Sequence, residues 1–188
     1  GRVRLSAGRR PLVMGIVNLT PDSFYPASRQ PDPGPAVEAA LSLLAAGADV
    51  LDLGAESTRP GSAPVPADAE QQRLLPVLQA LRQATDAPIT VDTRRFETAR
   101  LVLDHGADAI NDVAGGRDPG LLGLVAERGV GVVLMHMLGE PRTMQASPEY
   151  RDAPADIAAF LRDAAGRAEA AGIRPDRIIL DPGIGFGK

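Results

Sequence analysis

Val13-Met14-Gly15-Ile16-Val17-Asn18-Leu19-Thr20-Pro21-Asp22-Ser23-Phe24-Tyr25 decides how the rest of the chain reads. Val13 to Val17 is an apolar run of buried-strand length, too short for a buried helix. It stops at Asn18, and Thr20-Pro21-Asp22-Ser23 is turn chemistry. Within one residue the sequence passes from core to a mouth lined with amide, hydroxyl and carboxylate. Polar groups at the carboxyl end of a buried strand, followed by a loop, are where parallel α/β folds keep their active sites.

The pattern recurs downstream. Val3 to Leu5 reads as a short extra strand, and Pro26 to Pro35 as irregular. Pro35 to Ala46 is a helix with Val37, Leu41 and Leu44 inward and Gly47 beyond its end. Asp49 to Leu53 is the second strand, finishing in Asp52-Leu53-Gly54. Asp68 and Gln71 resemble a cap and its third-position partner, opening a helix to about Gln83 that Pro76 kinks. Pro88 to Val91 is the third strand, ending in Asp92, and Thr93 to His105 a helix closed by Gly106. Ala109-Ile110 is the fourth strand, ending in Asn111-Asp112. Asp118-Pro119 is a cap plus a first-turn proline for a helix to Arg128. Val130 to Met135 ends in His136; Pro154 to Ala171 is a long helix; Arg177 to Leu180 ends in Asp181-Pro182-Gly183.

A weak repeat underlies this order: Gly47-Ala48-Asp49 matches Gly106-Ala107-Asp108, which sets Asp52 opposite Asn111. Strand–helix alternation with near-continuous apolar strands calls for a parallel sheet. An open dinucleotide-binding sheet needs a glycine fingerprint after its first strand, and Asn18-Leu19-Thr20 is not one. A (β/α) barrel fits better, because every strand contributes a polar end residue rather than only those at a switch point.

Composition removes several function classes. The net charge is −4 with no basic stripe, which argues against nucleic acid. The absence of cysteine rules out a disulfide scaffold, a thiolate metal site and a cysteine nucleophile. No apolar run reaches membrane-spanning length and no signal-peptide core follows the N-terminal arginines, so a soluble cytoplasmic protein without a membrane partner is expected.

The strand ends, in order, are Asn18, Asp52, Asp92, Asn111, His136 and Asp181. Singly, each is as readily a turn residue or helix cap as a functional group. Jointly, three carboxylates and two amides converge on one face. Such a pocket suits a flat, nitrogen-rich heterocycle, because a carboxylate accepts two hydrogen bonds from an amino-pyrimidine edge. Ser57, Thr58 and Arg59 offset the acidic charge at the rim, and the Asn18 amide oxygen is a hard ligand suited to Mg²⁺ shared with phosphate. His136 alone reads as a structural histidine, and its flanking Met135 and Met137 as pocket wall or core. Gly183-Ile184-Gly185-Phe186-Gly187-Lys188 lacks the spacing of a nucleotide phosphate loop.

Met14 to Phe24 resembles the first signature of the dihydropteroate synthases, and Asp52-Leu53-Gly54-Ala55-Glu56-Ser57-Thr58-Arg59-Pro60-Gly61 resembles the second. Val91-Asp92-Thr93, Ile110-Asn111-Asp112, Leu134-Met135-His136-Met137 and Leu180 to Lys188 match later blocks in the same order. The resemblance implies a (β/α)8 TIM barrel, of which these 188 residues hold about the first six βα units, as one pterin-binding domain over 1–188 that is C-terminally incomplete relative to the family. It implies that Asp92, Asn111 and Asp181 bind pterin with Asp52 close by, and that Phe186 and Met135 or Met137 pack near it. It also implies that Asn18 takes Mg²⁺ with the diphosphate and that Thr58 contacts the diphosphate. Asp22, Ser23 and Phe24 on one loop, with Thr58, Arg59 and Pro60 on the other, would close the site and help order p-aminobenzoate, with Ser57 a further substrate-binding candidate; Asp22, Phe24 and Arg59 are the catalytic candidates. The implied reaction joins p-aminobenzoate to 6-hydroxymethyl-7,8-dihydropterin diphosphate in folate biosynthesis, in a homodimer. Alternatives are a pterin-binding methyltransferase domain and a non-catalytic pterin-binding paralogue. The family pattern continues through two further βα units, with a Ser-Arg-Lys motif and an Arg/His pair, so this sequence is expected to be part of a longer protein, with weak or absent synthase activity by itself.

Overall fold

The computed structural model describes residues 8, 10–20, 32–56, 65–139, 143–145 and 148–188. Strands and helices alternate: β1 (Met14–Asn18), α1 (Gly34–Ala45), β2 (Val50–Gly54), α2 (Ala67–Ala84), β3 (Ile89–Asp92), α3 (Phe96–Asp104), β4 (Ala109–Asp112), α4 (Pro119–Arg128), β5 (Gly131–Met135), α5 (Ala153–Ala170) and β6 (Ile178–Asp181). The six strands form one sheet in sequence order, every pair parallel. This is the α/β architecture expected from the pattern, as an open succession of βα units. The extra strand expected at Val3 to Leu5 lies outside the described residues. Among the described residues no helix is long and apolar enough to cross a membrane.

Alternation along the strands sorts side chains onto two faces. Val17, Leu51, Leu53, Ile89, Val91, Ile110, Val132 and Leu134 are buried in the core shared with the helices. The other face carries Ile16, Asn18, Asp52, Thr90, Asp92 and Asn111, tied together by the in-register pairing. Ile16 on β1 and Ile179 on β6 are 61% and 52% exposed, because each lies on a strand with a neighbour on one side only among the described residues.

Local signals explain most boundaries. Asp118 accepts from the backbone N–H of Gly120 and Leu121, Pro119 follows at the first helical position, and Gly129 closes α4 at φ 58°. Asp152 caps α5 in the same way. Three expectations are corrected. Asp68 lies inside the first turn of α2, whose cap position is Pro66; Gln71 instead reaches Thr98 Oγ1 at 3.5 Å. α3 begins at Phe96 rather than Thr93, because Thr93 Oγ1 accepts from the Arg95 N–H and holds Arg95 extended. On α1, Ala36 and Ala40 are buried while Leu41 is exposed. That helix sits so near β1 that a Cβ on Gly15 would come within 3.1 Å of Leu43, so small residues face inward.

The sequence repeat has a structural basis at the amino ends of the strands. Asp49 Oδ2 accepts the Val13 N–H at 2.9 Å, and Asp108 Oδ2 accepts the Ile89 N–H at 2.9 Å. In return the Asp49 and Asp108 N–H groups donate to the Val13 and Ile89 carbonyls. Each aspartate stitches its strand to the preceding one and carries an arginine, Arg10 or Arg82. Arg82 also donates to the Gly106 and Ala87 carbonyls, both at 2.7 Å.

Candidate active site at the carboxyl ends of the strands

The pairing sets a row across the sheet: Asn18 opposite Gly54, Gly54 opposite Asp92, Asp92 opposite Asn111. Gly54 is the gap in this row. A Cβ there would lie 3.6 Å from the Asp92 side chain and 3.8 Å from Asn18 Oδ1, so its absence leaves a notch between amide and carboxylate.

Asp52 lies two residues deeper. Sequence placed it at a strand end; it is the middle residue of β2, because the strand continues to Gly54. It is buried, and Thr90 Oγ1 from β3 donates to its Oδ1. Asn111 Nδ2 from β4 donates to its Oδ2 at 3.1 Å. Burial pushes the Asp52 carboxyl upward in pKa, and these two hydrogen bonds oppose that shift. Because Asn111 points its amide nitrogen at Asp52, its Oδ1 is left buried with no partner, the one such side-chain atom among the described residues. Buried polar atoms are nearly always satisfied, so an orphaned acceptor here marks a place for a donor.

Asp92 is half-buried, and among the described residues no hydrogen bond reaches its carboxylate. Burial pushes its pKa well up, and the negative charges of Asp52, Glu70, Asp112 and Glu56 add to this. An unpaired carboxylate beside an unpaired amide oxygen is an arrangement that accepts hydrogen bonds and has none to accept. It suits a ring edge rich in N–H.

Asp181 ends β6 opposite Met135, and its Oδ1 accepts the Gly183 N–H at 2.7 Å. Met135, Met137, Val113 and Met144 form a small apolar cluster against which Phe186 packs. Lys188 Nζ donates to the Phe186 carbonyl at 2.9 Å, to His136 Nδ1 at 2.9 Å and to the His136 carbonyl at 3.2 Å. All three of its hydrogens are engaged by groups of the protein itself. Since Lys188 only donates, His136 Nδ1 is an acceptor; burial and the Lys188 charge lower the histidine pKa and keep the ring neutral. The ring stacks edge-on to Phe160 at 4.9 Å, as befits a structural histidine.

A family of pterin-binding enzymes matches residues 14–188. The chain belongs to the pterin-binding enzyme family. It is 40% identical over 189 residues to a dihydropteroate synthase of Synechocystis, covering all of this chain and 65% of the relative. A solved Xanthomonas albilineans dihydropteroate synthase with 4-aminobenzoic acid superposes with a TM-score of 0.87 at 46% identity, over 96% of this chain and 64% of that one. A Burkholderia cenocepacia dihydropteroate synthase complexed with 7,8-dihydropteroate gives 0.83 at 44% identity, over 96% and 61%. The chain spans a little under two thirds of the length of these relatives.

In this member of the pterin-binding enzyme family the fold brings Asn18, Asp52, Asp92 and Asn111 together, with Asp181, Met135, Met137 and Phe186 around the ends of β5 and β6. Asp22, Phe24, Ser57, Thr58, Arg59 and Pro60 lie outside the described residues. Sequence reading missed Thr90, which looks like an ordinary β-branched strand residue. Its signal was period two: it lies two before Asp92 and so shares its face. It also missed the contact of Glu70 with Arg95, which joins elements distant in sequence.

Proposed function

We propose that this chain forms the pterin-binding part of a dihydropteroate synthase, joining 6-hydroxymethyl-7,8-dihydropterin diphosphate to p-aminobenzoate. The observation that carries the reading is the unpartnered pair of acceptors, Asp92 carboxylate and Asn111 Oδ1, in a row braced from below by Asp52 and Thr90. In this reading Asp92, Asn111, Asp52 and Asp181 take the amino-pyrimidine edge. Phe186 with Met135 and Met137 supplies the apolar wall. Asp22, Phe24 and Arg59, with Ser57, Thr58 and Pro60, serve the diphosphate and the arylamine.

The reaction needs no nucleophile from the protein. The bond between the pterin methylene carbon and the diphosphate oxygen breaks with both electrons leaving on diphosphate. The arylamine nitrogen then bonds to that carbon and loses a proton. Carboxylates around the pterin stabilise the positive charge that develops on the ring as diphosphate departs.

Asn18 is the residue that would hold Mg²⁺. It is exposed at the end of β1, and among the described residues no hydrogen bond occupies its side chain. A single neutral oxygen fits an ion that keeps several waters and binds through substrate phosphates. Magnesium bound there would neutralise charge on the diphosphate. The same reading carries a homodimer and a cytoplasmic setting, which sedimentation equilibrium and cell fractionation test.

The deciding experiment measures diphosphate release by the full chain with each substrate alone and with both together. Release that requires both supports the synthase. Pterin binding without release by these 188 residues alone is the outcome expected if turnover needs further βα units, whereas the same outcome in the whole protein would favour a non-catalytic pterin-binding protein.

A further inference from the structure

Thr90 on β3 and Asn111 on β4 meet through one buried carboxylate, that of Asp52 on β2. Asp52 is 4% exposed and lies directly opposite Thr90 in the sheet. Thr90 Oγ1 donates to Asp52 Oδ1, and Asn111 Nδ2 donates to Asp52 Oδ2 at 3.1 Å. Among the described residues no arginine, lysine or histidine bonds this carboxylate, so one hydroxyl and one amide supply the partners that a buried charge requires. The Thr90 hydroxyl has a single hydrogen, and the Leu51 carbonyl is also within reach at 3.2 Å. The carboxylate takes that hydrogen, because an ionised acceptor makes the stronger bond.

The state of Asp52 decides which way the Asn111 amide lies. An ionised carboxylate only accepts, so the Asn111 atom facing it must be nitrogen. The oxygen is left over, and Asn111 Oδ1 is accordingly buried without a partner among the described residues. Without the Thr90 hydroxyl, Asp52 Oδ1 would be the unmet acceptor, where burial already favours the uncharged acid. A protonated Asp52 can donate to the Asn111 oxygen. That turns the amide over and puts its nitrogen where the free acceptor stood.

We propose that Thr90 is a positioning residue for ligand: by donating to Asp52 Oδ1 it holds Asp52 as the acceptor of Asn111 Nδ2, and so leaves the Asn111 oxygen for an N–H of the ring. It acts at one remove, through Asp52. Serine at this position keeps the donor, whereas valine keeps the shape and loses it. The consequence for a pterin rests on the pterin-binding reading; the chain of hydrogen bonds does not.

The test compares Thr90→Val and Thr90→Ser with the parent chain. Solvent exchange of the side-chain amide protons is followed by NMR, and 6-hydroxymethylpterin is titrated by its fluorescence. The Asn111 signal is identified by its loss in Asn111→Ser, and Asn18, the other asparagine of the chain and exposed at the end of β1, is the reference. In the parent, the Asn111 amide is expected to exchange about tenfold more slowly than that of Asn18. Thr90→Val brings the two to within about twofold, and Thr90→Ser keeps the parental difference. Pterin affinity is expected to fall about tenfold in Thr90→Val and to stay within about twofold of the parent in Thr90→Ser. Parental Asn111 exchange in Thr90→Val overturns the positioning role, and altered exchange with unaltered pterin affinity overturns its consequence for ligand. Equal loss of affinity in both variants also overturns it, since serine retains the hydroxyl. If Thr90→Val does not fold, Thr90→Ala, which removes the same hydroxyl and adds nothing, decides by the same readings. A parent that binds no pterin overturns the pterin-binding reading alone, and the exchange result still decides the chain of hydrogen bonds.

Discussion

Asn111 Nδ2 lies 3.1 Å from Asp52 Oδ2, although β4 and β2 are separated in the sheet by β3. Side chains from alternate strands meet in this way when a parallel sheet curves as a barrel does and its inner face is layered. The contact turns the Asn111 amide so that its oxygen has no protein partner. Asn111→Asp would set a carboxylate in place of the amide donor, directly against Asp52. Stability at neutral pH is expected to fall by about 1–3 kcal/mol, the cost of an unsatisfied buried polar group, and to recover as the pH is lowered and one carboxyl is protonated. Urea unfolding at neutral and mildly acid pH reads both effects; equal loss at the two pH values would contradict this.

The Asp92 carboxyl has a folded-state pKa well above its ordinary value, from burial first and then from Asp52, Glu70, Asp112 and Glu56. The native state thus binds more protons than the unfolded state between the ordinary carboxylate pKa near about 3.9 and the raised value. Through that window stability falls as pH rises. Asp92→Asn removes this contribution, so its stability should decline less steeply with rising pH and exceed that of the parent at neutral pH. Thermal midpoints across a pH series check the slope. A residue that lowers stability at working pH is what a site selected for binding leaves behind.

Gly54 has room for a methyl group, at ordinary contact distances from Asp92 and Asn18, and its backbone is not left-handed. Gly54→Ala should therefore fold with an unfolding midpoint equal to or above the parent. The same methyl fills the notch between Asn18 and Asp92, so pterin diphosphate binding should weaken about tenfold or more. A titration set beside a thermal melt separates the two effects.

At the opposite end of the sheet, Arg82 bonds Asp108 and two backbone carbonyls, with both side chains largely buried. Arg82→Ala leaves these acceptors unmet and should destabilise the chain by about 3–5 kcal/mol with ligand affinity unchanged in the folded fraction. Denaturant unfolding and a pterin titration below the midpoint measure the pair. In barrel folds the amino end of the strands serves stability and the carboxyl end serves chemistry.

Elements specified by local chemistry were legible before the fold was seen. Asp118, Pro119 and Gly129 bound α4 because capping involves only neighbouring backbone. The row Asn18, Asp92, Asn111 and Asp181 was legible for a related reason: an apolar run that stops at a polar residue marks a strand end. Asp52 was set at an end because sequence does not show that Leu53 and Gly54 continue the strand. Asp68 looked like a cap by spacing alone, yet the helix enters through Pro66. Thr90 beneath Asp52, and Arg95 between Glu70 and Glu56, depend on which strands and helices become neighbours. No local pattern carries that information.

The central claim is that the strand-end row binds a pterin. Titration of the chain with 6-hydroxymethylpterin, followed by the ligand's fluorescence, tests it most directly when parent and Asp92→Ala are compared at neutral pH. Saturable binding by the parent is expected, with a loss of about 30-fold or more in affinity for the variant, the value of a charged hydrogen-bond acceptor of about 2–3 kcal/mol. Equal affinity in a folded Asp92→Ala protein would contradict it.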